Sequence, residues 1–149
     1  MSDSTATEME AVEIVEFLDS QRTGVLSLAK DSDGYAIPVS FVYDDEGPYV
    51  YLRLGYAPGS QKRKYLDASE HVSFVVYDDT DEGWKSVVIQ GRTEALTAST
   101  LDSSVTEAVH ELDIPFMQVH KRPTDEIEFS IVRISITNMN GIVEAQTGS

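Results

Sequence analysis

Tyr49-Val50-Tyr51-Leu52-Arg53-Leu54-Gly55, then Pro58-Gly59-Ser60-Gln61-Lys62-Arg63-Lys64, then His71-Val72-Ser73-Phe74-Val75-Val76-Tyr77 form the stretch that decides the fold. The first segment alternates with period two and predicts a strand with Tyr49, Tyr51 and Arg53 on one face. Gly55, Pro58 and Gly59 break that pattern, and Ser60 stands where a helix N-cap belongs. Gln61 to Ala68 then has room for about two helical turns, with Tyr65 and Leu66 toward a core. His71 to Tyr77 is again a strand, rich in β-branched residues. The chain holds 26 acidic and 11 basic residues, yet Lys62, Arg63 and Lys64 are consecutive in the first turn of the helix. Cations are favoured at helix C-termini, because the N-terminal end is already positive. Two explanations stand. In the first, the basic run is a solvated face, with Arg63 pairing Asp67 at i,i+4. Alternatively, a serine cap, free backbone N–H groups and lysines make a phosphate site. The scarcity of basic residues favours the second.

The 149 residues suit a single domain over 1–149, and a 41% hydrophobic content supports an ordinary core. A net charge of −15 repels nucleic acid and anionic membrane surfaces, and neither is expected as a partner. The acidic excess is spread along the chain and lysines number only five, a surface typical of salt-loving, haloarchaeal proteins. With no cysteine, disulfides, thiolate metal sites and cysteine nucleophiles are excluded. No run is long enough to span a membrane, and no signal segment opens the chain, so a cytoplasmic location is expected.

From the N-terminus, residues 1–7 are expected to be disordered and 8–20 to form a helix. Val12, Val15, Phe17 and Leu18 fall on its apolar side, and Thr7 with Glu10 makes a capping box. Thr23 to Ala29 is a strand, Asp31-Ser32-Asp33-Gly34 a hairpin turn centred on Asp-Gly, and Tyr35 to Tyr43 the partner strand. Pro38 within that strand implies an edge, a bulge or a ligand lying on the backbone. Trp84 to Leu96 reads as a long strand bent at Gly91, Ala98 to Leu112 as a helix, and Phe129 to Ile136 as a last strand. About six strands at hairpin spacing favour a small antiparallel barrel over a parallel α/β sheet. The three histidines do not cluster, and no metal-ligand spacing, G-x-S-x-G turn or glycine-rich phosphate loop is present. Redox or transfer chemistry would therefore come from a bound cofactor.

The order Tyr51-Leu52-Arg53, Gly59-Ser60-Gln61-Lys62, Val72-Ser73-Phe74 and Val87-Val88-Ile89-Gln90-Gly91-Arg92-Thr93-Glu94 resembles the pyridoxamine 5'-phosphate oxidase-like family of split β-barrel flavoproteins. Gly24-Val25-Leu26, Asp33-Gly34-Tyr35 and Pro38-Val39-Ser40 suit its first hairpin. The resemblance implies a mainly β fold with flanking helices, a six-stranded antiparallel split barrel, forming a homodimer with FMN at the interface. FAD or deazaflavin is less favoured. It implies that Ser60, Gln61 and Lys62 meet the flavin phosphate, Gln61 standing where the family often has arginine, with Arg63 or Arg53 able to compensate, Arg63 pointing elsewhere on a regular helix. It places Pro38, Val39, Ser40, Tyr51 and Leu52 along the ring. Ser86 would reach in from the partner subunit, and His71 and Trp84 would lie on the substrate side. The R-x-H pair of true pyridoxamine-phosphate oxidases is here Arg133-Ile134-Ser135. The chain is thus nearer the nitroimidazole-resistance and flavin-reductase-like members. It is expected to be an FMN-dependent oxidoreductase of an unidentified small molecule. The competing functions are a non-catalytic flavin store or sensor, and a split-barrel binder of deazaflavin or haem.

Overall fold

The computed structural model describes residues 6–56, 61–95 and 128–145. The elements run β1 (Ala6–Glu8), α1 (Ala11–Ser20), β2 (Thr23–Lys30), β3 (Asp33–Asp44) and β4 (Tyr49–Tyr56). They continue with α2 (Gln61–Ala68), β5 (His71–Thr80), β6 (Gly83–Ala95) and β7 (Glu128–Glu144). The helix expected at Ala98–Leu112 lies outside the described residues, as do His110 and His120.

All pairings are antiparallel, in the order β1-β7-β4-β3-β2-β5-β6, and a further β7–β6 pairing closes β2–β7 into the expected six-stranded barrel. β1 is a seventh strand, added to the end of β7 with Ala6 opposite Glu144. The barrel interior is filled by alternate residues of each strand. Phe41, Val50, Leu52, Leu54, Phe74, Val76, Val87, Ile89 and Ile134 are at most 3% exposed. Such burial on one face fixes register, because a one-residue slip would turn the whole set outward. At Gly91 the β6–β7 register shifts. A Cβ there would lie 2.3 Å from the Ser135 carbonyl oxygen, so the expected bend needs glycine.

Three expectations are corrected. Ala6–Glu8 pairs as a strand instead of fraying, so the helix begins at Ala11 and its capping box is Glu10 with Glu13. Val12 is 67% exposed, while Ile14, Phe17 and Leu18 cover the barrel end. The first hairpin turns at Asp31 and Ser32, both at positive φ (51° and 71°), with Lys30 opposite Asp33. A two-residue turn whose twist matches the strands needs positive φ at both positions. Gly34 is consequently inside β3, paired with Ala29.

Candidate functional site

The outward face of β3 and β4 carries the candidate cofactor residues. β4 pairs with β3 only from Ser40 to Asp44, so Pro38 lies on a part of β3 that is bonded to β2 alone. A missing N–H there costs no bond to β4, and Pro38 is the edge residue its chemistry implies. Ser40 stands opposite Arg53, and both are half-buried. Nη2 of Arg53 is itself buried. β4 ends at Tyr56 and α2 starts at Gln61, so in chain order the helix follows the strand that bears Arg53. Val39 and Leu52 face the barrel interior at 8% and 0% exposure, which leaves only their backbone to meet a ligand on the outer face. Ser60 lies outside the described residues, as do the side chains of Gln61 and Lys62 that open α2.

Ser86 and Trp84 are also on the outer face, on β6. β3 and β6 are three strands apart in either direction around the barrel, on opposite sides. At about 4.8 Å per strand that is roughly 14 Å along the surface. One chain therefore does not bring Ser86 and Trp84 to Ser40, and Arg53 on β4 is also remote from them, since it pairs with Ile131 of β7 while Ser86 pairs with Ile142. Trp84 stacks instead on Tyr77, centroids 5.3 Å apart at 27° between planes, and the two are 40% and 50% exposed. Val88 and Ile142 extend this exposed apolar strip. His71 begins β5, exposed, with Arg92 opposite.

A cluster that spacing alone does not suggest forms where β6, β7 and β4 meet. Arg133 lies opposite Tyr51 on one side and Glu94 on the other. Its Nε donates to Glu94 at 2.9 Å, Nη2 donates to the same carboxylate oxygen, and the guanidinium sits 4.3 Å over the Tyr49 ring. Burial works to lower the Arg133 pKa, but the Glu94 and Tyr51 contacts outweigh it and leave it raised. Tyr51 is 1% exposed yet lies outside the interior core cluster, covered on the outer face by Tyr49 and Arg133. Burial raises its pKa and Arg133 offsets part of the rise. Tyr51 is thus a buried phenol packed beneath Tyr49 and Arg133.

A cavity of about 370 Å³ opens beside this face, between the end of α1 and β3. Its walls include Asp19, Arg22, Val42 and Tyr43, and none of the expected site residues. Val42 pairs with Tyr51, so the cavity adjoins the candidate site. The Tyr43 hydroxyl donates to Asp45 at 2.9 Å, and both burial and that carboxylate push its pKa up. Among the described residues, no group of three or more His, Cys, Asp or Glu side chains is placed to hold a metal. No described helix is long and apolar enough to cross a membrane.

A closed six-stranded antiparallel barrel with a short helix inserted between two of its strands is a split β-barrel. The sequence model of the pyridoxamine 5'-phosphate oxidase family matches residues 10–143, and the chain belongs to that family. No curated protein matches the sequence. Among solved structures, an FAD-binding protein of Mesorhizobium loti is 26% identical, with a TM-score of 0.66 over 95% of this chain and 99% of that one. A protein of Bacteroides thetaiotaomicron named for 5-nitroimidazole antibiotic resistance is 16% identical (TM-score 0.58, 95% and 89% covered). The FAD and haem binding protein of Mycobacterium smegmatis is 14% identical (TM-score 0.62, 97% and 74% covered). The last two likenesses are of fold.

Proposed function

We propose that the chain is a flavin-dependent oxidoreductase, binding FMN in a site completed by a second copy of itself and acting on a small molecule. The carrying observation is Arg53, a half-buried guanidinium in a chain of net charge −15, opposite Ser40 on the strand that leads into the N-terminus of α2. Cation, hydroxyl and helix N-terminus form a donor set suited to a phosphate and to the polar edge of a flavin. Lys62 and Ser60 would hold the phosphate, while Pro38, Ser40 and Arg53 would border the ring. The bound flavin supplies the hydride or electron transfer, and the chain binds, orients and shields it.

The second copy is supported by the placement of Ser86 and Trp84 on the far side of the barrel. Tyr77, Trp84, Val88 and Ile142 present exposed apolar area there. A two-fold dimer would bring that strip of one protomer to the Ser40–Arg53 face of the other. Arg133 is already engaged by Glu94, Tyr49 and Tyr51, which argues for a substrate other than pyridoxamine phosphate. The test is the visible spectrum of the purified protein, followed by addition of NAD(P)H. Flavin bands that bleach are the expected result. Bands that persist through every reductant point to a store or sensor. A haem Soret band, a deazaflavin spectrum or a colourless protein overturns the FMN assignment.

A further inference from the structure

α2 has eight residues, a length of about 12 Å, and little apolar anchorage. Tyr65 and Leu66, each half-buried, are its described side chains that pack against the core. Its far end is fixed by Ser69, just beyond the last turn. At 7% exposure Ser69 is the one buried polar residue among the described residues. Its Oγ accepts the Ala29 N–H at 3.0 Å, and shares its single hydrogen between the carbonyls of Ala29 at 2.8 Å and Tyr65 at 2.7 Å. Thr93 on β6 donates its hydroxyl to the Ser69 carbonyl at 3.3 Å. Tyr65 stacks on Tyr35 of β3, centroids 4.9 Å apart. Strands β2, β3 and β6 thus hold the C-terminal half of the helix, and the first turn projects from that clamp.

The clamp acts as a pivot. A tilt of about 10° at Ser69 would carry the first turn roughly 2 Å over the length of the helix. A displacement of that size exceeds the distance range within which a hydrogen bond holds, so it would weaken contacts made by the first turn. We infer that Ser69 is a positioning residue for the flavin phosphate: by pinning the end of α2 to β2 and β6, it aims the turn that begins at Gln61. The inference rests on the phosphate site of the proposed function.

The experiment titrates apoprotein with FMN and with riboflavin, which lacks the phosphate, for wild type, Ser69→Ala and Thr93→Val. Ser69→Ala is expected to lose about tenfold in FMN affinity, with riboflavin affinity unchanged. Thr93→Val keeps the side-chain shape and removes one bond of the clamp, so a smaller loss in the same direction is expected. If Ser69→Ala fails to fold, Thr93→Val decides alone. Equal losses for both flavins, or no loss of FMN, overturn the role of Ser69. A wild type with no preference for FMN over riboflavin overturns the phosphate site, and this inference with it. A wild-type preference that survives both substitutions counts against Ser69 only.

Discussion

In the last turn of α1, Asp19 adds negative charge to a helix end that is already negative, and no basic residue stands in that turn. Burial, and then the neighbouring Asp45 carboxylate, raise its pKa above the ordinary 3.8. The folded chain therefore holds this proton more tightly than the unfolded chain. Stability from that preference is present at low pH and is lost as pH rises through the raised folded value. Asp19→Asn is expected to be more stable than wild type at pH 7, by about 0.3–1 kcal/mol for the helix-end charge, read from thermal or denaturant unfolding. The gap should close below pH 3.8, where both side chains are neutral. A gap independent of pH would point to packing and not to charge. Lys62 presents the reverse case, a cation where the helix end is positive. Lys62→Ala should cost FMN about 1.5–3 kcal/mol of affinity, the range for hydrogen bonds to charged groups. Riboflavin should bind unchanged, and Lys64→Ala should do little to either flavin. Equal FMN affinity in wild type and both variants would return the basic run to a solvated face.

β6 shows how one element serves two surfaces. Val87 and Ile89 are fully buried in the barrel, while Trp84 and Val88 on alternate positions are 40% and 38% exposed. If the outer strip is covered by a second copy, Val88→Glu buries a charge in an interface between two acidic chains. The expected outcome is a folded monomer by light scattering and circular dichroism, with weakened flavin binding because each site loses its partner. A variant that stays dimeric, or a wild type that is monomeric, removes the interface. The alternation in β4, β5 and β6 was legible in the sequence because a single buried face imposes it. The bend at Gly91 and the span of α2 were legible for equally local reasons, a glycine in a strand and a Gly/Pro break. The turn at Asp31–Ser32 was misplaced because Asp33-Gly34 is the stronger dipeptide signal, whereas strand register decided the outcome. The contacts of Arg133 and Ser69 had no local signal. Glu94 to Arg133 and Ala29 to Ser69 span 39 and 40 residues of chain, and only the barrel's closure makes them neighbours. Likewise, the opposition of Ser86 to Ser40 follows from strand order, which periodicity does not contain.

For the whole molecule, charge repulsion is the unfavourable contribution that salt can relieve. Each chain carries −15, so a dimer carries −30, twice that value. Several of the acidic residues sit in exposed turns, Asp45 and Glu46 after β3 and Asp81 and Glu82 after β5. Folding brings these groups closer than the unfolded chain does, and dimerisation brings two such surfaces together. At about 0.15 M salt the Debye length is about 8 Å, so neighbouring turns still repel; at about 1 M it is about 3 Å and the repulsion is largely screened. The apolar interior is not weakened by the same salt. Melting temperature should therefore rise steeply between low and multimolar potassium chloride. The dimer dissociation constant should fall over the same range, and flavin should be retained better, since its proposed site needs both copies. Screening acts in the opposite sense on the proposed lysine–phosphate attraction, so Lys62→Ala should lose less FMN affinity relative to wild type in high salt than in low. Calorimetry and light scattering across a potassium chloride series measure the first two effects. A melting temperature unchanged across that series would mean that the acidic surface imposes no repulsive cost, and would remove the salt-loving interpretation of this chain.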